Sequence, residues 1–365
     1  MRNPSPGGKG ARTAMPPLRS GDPPHPIPLP EGEGAALRPP SLRGRPSWTW
    51  IGRKGRAPMP RMTAAALSPP RSISARLQSG NAGPVLVMLL ALLVLWYAAA
   101  ILANWRGTAD AFARAGEQRS GSEILIATLA QERPVLPAPH QIAAELKKTV
   151  LDVDPTSRRS LVYHAGVTLS ATLLGFLMGA ALGVILAVAI VHLPVLERSL
   201  LPWIIASQTV PILAVAPIVI VVLGSIGLTG LVPKAIISAY LCFFPVAIGA
   251  VKGLTSPDVL SRDLLRTYSA TQAQTLWKLR LPASLPFLFA SLKVAIAISL
   301  VGAIVGELPT GAQAGLGARL LSGSYYGQTT QIWAALFAAA ALASLLVGAV
   351  GLAERAVNAR LGARA

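Results

Sequence analysis

The chain is poor in cysteine, charge and aromatic residues, and each shortage excludes something. Cys242 is the only cysteine among 365 residues, so neither an intramolecular disulfide nor a cysteine metal cluster is available, and its apolar neighbours make it a packing residue. Charged residues make up 13 % of the sequence, against about 25 % in soluble domains. Aromatics make up only 5 %. No stretch has the form Gly-x-x-x-x-Gly-Lys-Ser/Thr; the early "GGKGART" has neither the spacing nor the context, so no phosphate loop binds a nucleotide here. What the chain does have is apolar mass: 52 % hydrophobic residues and a mean hydropathy of +0.53. These residues are gathered in uncharged runs, as in a multi-span all-α membrane protein. A formal net charge of +18 would point a soluble chain toward nucleic acid. Here 13 of the 33 Lys and Arg fall in residues 1–83, on one side of the first apolar run. That is where orientation signals lie, and no nucleic-acid partner is expected.

Residues 1–80 are rich in Pro, Gly, Ser and Arg and show no apolar periodicity. Such a segment cannot bury enough surface to offset its ordering entropy, so a disordered tail is expected. It lacks the apolar core of a signal peptide. The tail is read as without function, with Met59 or Met62 as an alternative initiator; a peptide from residues 20–50 of the natural protein would rule that out.

Residues 81–365 are read as one domain of six transmembrane helices. The first span, 84–103, has twenty residues without a charge, enough for the bilayer core, and Trp96, Tyr97 and Trp105 lie in or beyond its later half. Residues 106–160 carry eight Lys or Arg against seven Asp or Glu, and "HQIAAELKKTVLDV" reads as a short amphipathic helix on the surface. The second span covers about 164–191. Its Gly175, Gly179 and Gly183, four apart, share one face and allow close helix approach. A third span starts near Leu201 and contains Pro211 and Pro217; "GSIGLTG" then turns into a fourth at 231–251, with a fifth at 287–305 and a sixth at 330–352. Six spans put both termini on one side, together with the net-basic segment 252–280. The connections on the other side are close to neutral. The positive-inside tendency therefore places both termini in the cytoplasm and 106–160 on the outer side of the membrane among whose lipids the chain sits.

The polar segment 256–286 is too long for a plain loop. "TSPDVLSRDLLRTYSATQAQTLWKL" reads as two short helices. Ser256 is the expected N-cap of the first, with Pro257 at the first helical position and Asp258 in the first turn. Thr271 with Gln274 forms a capping-box pattern for the second, after a bend at Ser269-Ala270-Thr271. Leu264, Leu265, Tyr268, Leu276 and Leu279 give an apolar side, and Leu281-Pro282 and Leu285-Pro286 are expected to end the unit and set the entry angle of span five. An apolar side on a polar segment needs a cover. Either the membrane or the protein's own helices supply it, or a partner accepts the helices in a groove.

Polar groups inside a bilayer are costly and so are functional candidates. Gln208 and Thr209 precede Pro211, whose missing N–H frees a backbone carbonyl. They either line a path for a small polar solute or bridge helices. Glu307, at the outer end of span five, is the remaining candidate for that path, with solvation the plainer reading. Lys293 is expected to snorkel to the surface, and His164 and His192 to be interfacial. No metal or cofactor site is expected.

The order of residues in the polar segment resembles the cytoplasmic coupling loop of ABC importer permeases, which runs Glu-Ala-Ala, three residues, Gly, then about nine residues to Ile-x-Leu-Pro. Asp263-Leu264-Leu265 stands at Glu-Ala-Ala, Ser269 at the Gly and Leu279-Arg280-Leu281-Pro282 at the end. The spacing holds while the residues at these positions differ. "SQTVPILAVAPIVIVVLGSIGL" (207–228) and "VGELPTGAQAGLGARLL" (305–321) resemble signatures of the branch that handles nitrate, sulfonates, taurine and pyrimidine precursors. The likeness covers roughly 160–352. It implies a type I importer core: two permease chains as a homodimer, cytoplasmic ABC ATPase subunits, and a periplasmic or extracellular solute-binding protein. It further implies that Asp263, Leu264, Leu265, Tyr268, Ser269, Ala270, Thr271, Leu281 and Pro282 couple the spans to the ATPase, and that the chain itself is no enzyme. Two competing classes are a secondary transporter, for which neither an internal repeat nor paired mid-membrane charges is visible, and a membrane-anchored protein that recruits a partner through the loop.

Overall fold

A computed structural model of the chain describes residues 82–309 and 313–360; the expected tail, 1–80, lies outside them. All regular structure among the described residues is helical. In chain order the helices are α1 (Ala82–Arg114), α2 (Gly121–Leu129), α3 (Pro139–Lys147), α4 (Leu161–His192), α5 (Pro194–Ser207), α6 (Ile212–Ser225) and α7 (Leu231–Leu254). Then follow α8 (Val259–Thr267), α9 (Gln272–Thr275), α10 (Leu281–Glu307), α11 (Leu316–Tyr325) and α12 (Thr329–Arg360). Turns of π-helix extend α3 through Lys148–Asp152 and join α9 to α10 through Leu276–Arg280.

Among the described residues, α1, α4, α7, the continuous stretch Gln272–Glu307 and α12 are long and apolar enough to cross a membrane. The third expected span is not one rod. It is the pair α5 and α6, bent by 97° at 208–211. Pro211 cannot donate the hydrogen bond that would carry a helix through this point, so two helices form where hydropathy alone reads one. The other spans are longer than their uncharged windows. α1, for example, runs on through Arg106 and Asp110 to Arg114, because charges end a hydrophobic window but do not end a helix.

α7 is the centre of the bundle, with α4 on one side and α10 on the other. Lipid tails are as apolar as leucine, so helices in a membrane are held by close contact and hydrogen bonds rather than by escape from water. Both seams are built that way. On α4, Gly175, Gly179 and Gly183 are buried against Ser238, Cys242 and Val246 of α7. A Cβ on Gly183 would lie 2.7 Å from the Phe243 carbonyl oxygen and 2.9 Å from Val246 Cβ. The glycine face read from the sequence is thus the α4–α7 contact. On the far side, a Cβ on Gly302 of α10 would lie 2.7 Å from Ser238 Cα. A buried ladder ties the three helices together: Ser299 Oγ donates to Thr172 O at 2.9 Å, and Ser238 Oγ to Ser299 O at 2.7 Å. Such bonds contribute about 0.6 kcal/mol each.

The periphery refines several expectations. α3 is amphipathic as expected: Ile142 is buried against the bundle and the helix packs on α12, while His140, Ala143, Ala144 and Lys147 stay exposed. Just before it, 134–137 is clasped by α1. Asn104 Nδ2 donates to Leu136 O at 2.8 Å, Asn104 Oδ1 accepts from Val135 N–H at 2.6 Å, and Trp96 Nε1 donates to Pro137 O at 3.1 Å. The Trp96 ring also meets Trp333 of α12 edge-on, 5.0 Å between centroids, so it is spent on packing. Lys293 does not stand alone: its side chain is partly exposed and pairs with Glu354 of α12. α2 was not expected, although its capping box, Ser120 with Glu123, is visible in "SGSE".

Candidate functional site

The polar segment folds as a bent pair at the end of the bundle where α4 and α10 meet the close of α7. Asp258, not Ser256, caps α8: its carboxylate accepts from Ser261 N–H at 3.1 Å, and hydrogen bonding by the Ser261 side chain and then its N–H holds the Asp258 carboxyl below the usual range. Ser256 Oγ instead donates back to Gly253 O at 2.7 Å, which keeps it in the last turn of α7. The bend follows at Ser269, with φ of 54°, the only positive φ at a non-glycine among the described residues. That backbone shape favours glycine, which explains why a Gly fits this place in the related loop pattern. The expected capping box then opens α9: Thr271 Oγ1 accepts from Gln274 N–H at 3.2 Å, and Gln274 Oε1 from Thr271 N–H at 2.9 Å.

Pro282 does not end the unit. The π turn at Leu276–Arg280, in which Leu281 N–H donates to Leu276 O, takes the preceding carbonyls out of α register. The ring then falls in the first turn of α10, where a missing N–H is tolerated. One unbroken helical path of 36 residues therefore links Gln272 to Glu307.

The expected apolar side is split. Leu276 and Leu281 turn inward onto Ala187, Ala250 and Leu254. Leu264, Tyr268 and Trp277 point away, 56, 76 and 70 % exposed, and Thr271 is also exposed, while Leu265 and Ala270 are half-buried. Asp263 pairs with Arg266 at 3.2 Å on the open surface, worth at most about 1 kcal/mol.

At the α5–α6 break the carbonyl freed by Pro211 is that of Ser207, and it is already taken: Tyr240 Oη of α7 donates to it at 2.6 Å. Thr209 Oγ1 turns back onto Ala206 O at 2.8 Å, and Gln208, Thr209 and Pro211 are exposed in the single chain. Nothing in the sequence singles out Tyr240 as the partner.

Glu307 belongs to a different place, the far end of α10, and it is not solvated there. Its side chain is 0 % exposed. Thr168 Oγ1 of α4 lies 3.0 Å from both carboxylate oxygens and donates there, Gly317 N–H donates at 2.9 Å, and Lys234 Nζ of α7 stands 3.7 Å away. The same Thr168 hydroxyl accepts from Leu316 N–H at 2.8 Å. His164 completes the arrangement: Nδ1 accepts from Gly315 N–H at 3.0 Å and Nε2 donates to Arg158 O at 2.9 Å, so a ring protonated at Nε2 satisfies both. A side chain on Gly315, where φ is 124°, would overlap the Glu307 carboxylate, and Cβ of a residue at 317 would lie 2.8 Å from Glu307 Cβ. The Gly-Leu-Gly at 315–317 is therefore the cradle of this carboxylate. The structure brings Glu307 together with His164, Thr168 and Lys234, not with Gln208, Thr209 and Pro211. A signal for the pair was available: Lys234 and Glu307 are lone opposite charges at the same end of two expected antiparallel spans.

Comparison with known proteins agrees with this architecture. Residues 179–362 match the family described as "Binding-protein-dependent transport system inner membrane component". The chain is 31 % identical over 183 residues to the formylaminopyrimidine transport permease protein ThiX of Halalkalibacterium halodurans, covering 50 % of this chain and 68 % of the relative. It is 30 % identical over 221 residues to the riboflavin transport system permease protein RibX of Chloroflexus aurantiacus, covering 60 and 78 %. Against the putative aliphatic sulfonates transport permease protein SsuC of Bacillus subtilis it is 29 % identical over 221 residues, covering 60 and 76 %.

Proposed function

Because the chain belongs to the family of binding-protein-dependent transport system inner-membrane components, we propose that it carries a small polar organic solute or anion into the cytoplasm by alternating access. It is a multi-pass inner-membrane permease of an ABC importer, without catalysis of its own; ATP is hydrolysed by separate ATPase subunits, and a solute-binding protein is the other partner. The solute proposed is a pyrimidine or thiamine-precursor-like heterocycle, or a sulfonate, taurine or nitrate. The working unit proposed is a permease homodimer in lipid, with both termini and the 256–286 segment in the cytoplasm and 106–160 outside.

In this reading α8 and α9 sit in a cleft of each ATPase. Leu264, Leu265, Tyr268, Ala270 and Thr271 form the docked face, Asp263 braces Arg266 beside it, Ser269 sets the bend, and Leu281 and Pro282 seat the lever in α10. One observation carries the proposal: exposed apolar side chains at 264–268 stand next to a helical path that continues without a break to Glu307. At 1.5 Å per residue the path is about 54 Å long, enough to take movement of the docked helices through the whole bilayer. Gln208, Thr209 and Pro211 are proposed to line the solute path at the bend of α5 and α6, while Glu307 supports it only by holding 315–317 in place. Leu265→Asp and Ala270→Asp should each abolish uptake by the assembled complex while the protein still inserts. Unchanged uptake in both would remove the docked face.

A further inference from the structure

The ends of α4, α6, α7 and α10 that lie away from the coupling segment enclose a partly open cavity of about 570 Å³, a volume that suits a small molecule. Its polar lining is sparse and one-sided. Lys234 is the only charged residue that lines it among the described residues, accompanied by Tyr163, Ser170, Thr229 and Gln313. The hydroxyl-bearing Tyr163 and Thr229 line the cavity and make no side-chain hydrogen bond among the described residues. The remaining walls are apolar, notably Val167, Ile220, Leu228 and Pro309.

The Lys234 side chain is 12 % exposed, with Nζ 3.1 Å from Ala314 O and 3.7 Å from Glu307. The first is a hydrogen bond that takes one of its three N–H donors; the second is a longer ion-pair contact. Glu307 is wholly buried and does not line the cavity. A guest therefore meets the ammonium and not the carboxylate. The first turn of α7, which has no side-chain cap, borders the same space and adds partial positive charge.

We propose that this cavity is a site on the permease itself for a small organic oxyanion (a sulfonate or carboxylate on a compact apolar body), with Lys234 holding the charged group and Tyr163 and Thr229 hydrogen-bonding beside it. The site deepens the importer reading and rests on it for the direction of delivery: a solute released on the outer side enters here before it reaches the path. The permease then sorts solutes by charge in addition to any choice made by the binding protein.

The test uses the full chain in nanodiscs of phosphatidylcholine, with Leu228→Cys, in the apolar wall, as reporter and benzenesulfonate as probe. Cys242 is wholly buried, so it stays silent toward a polar thiol reagent. Benzenesulfonate should slow labelling of Leu228→Cys about tenfold, and uncharged benzyl alcohol should not. Lys234→Arg should keep that protection. The double variant Lys234→Met with Glu307→Gln, which leaves no unpaired buried charge, should lose it. Equal protection by benzyl alcohol, or protection that survives in the double variant, would overturn the site. So would protection by phosphatidylglycerol in the nanodisc without benzenesulfonate, because the occupant would then be a lipid headgroup. Copurification of an ATPase is scored separately: its absence counts against the importer reading, while the labelling result alone decides the site.

Discussion

The two ends of α10 solve opposite problems. Before its start, the segment 264–277 leaves Leu264, Tyr268 and Trp277 uncovered on a polar, basic unit. At Glu307 it buries a carboxylate completely and surrounds it with Thr168, Gly317 and Lys234. The first arrangement leaves apolar surface without a cover within the chain; the second is complete within one chain. One continuous helical stretch, Gln272–Glu307, joins the two ends; in the proposed mechanism a pull at one becomes a tilt at the other.

Predictions that break the closed end should have the largest effect. Glu307→Ala strands the Lys234 ammonium and the Gly317 N–H, and should destabilise the purified protein by about 3 kcal/mol, read as a fall in its thermal midpoint. Glu307→Gln, which keeps acceptors for Thr168 and Gly317, should lose clearly less; an equal loss would show that the charge alone matters. Gly183→Leu attacks the frame that both ends share. Its side chain meets Phe243 O and Val246, so α4 and α7 must part, at a cost of about 2 kcal/mol. A substitution of the same size at Gly348, where a Cβ meets nothing within 4 Å, is the control and should be nearly neutral. The smallest effect belongs to the open end: Ser269→Gly relieves the positive φ and should stabilise the bend by about 1 kcal/mol, seen as slower hydrogen exchange at 264–275.

Much of this was legible in the sequence because the membrane makes it so. Uncharged runs report spans, and glycines four apart report close contact, as Gly175, Gly179 and Gly183 do against α7. Local turn chemistry was legible too, at Thr271 with Gln274 and at the Ser269 bend. What escaped was set by three-dimensional context. Pro211 can kink a helix or break it, and local sequence does not show that the result is a 97° break or that Tyr240 of another helix takes the Ser207 carbonyl. Ser256 and Asp258 are both good caps, and only the path of α7 decides between them. Glu307 looked like a solvated terminal charge because Lys234, Thr168 and Gly317 are distant in sequence from one another or reach it only after the chain has turned back. In the polar segment, the spacing of Leu264 and Leu276 suggested one shared apolar side; beyond the bend at Ser269 Leu276 packs inward while Leu264 stays exposed.

The central claim is that 264–271 is held by a nucleotide-driven subunit while α10 carries the motion outward. Tyr268→Cys, paired with single cysteines in the cleft of the copurified ATPase, tests it most directly. Cross-links should form in high yield in the assembled importer, and the distance between the two Tyr268→Cys positions of the permease pair should shorten when ATP is added. Absence of any cross-link in a complex that still imports solute, or a distance indifferent to ATP, would contradict the account.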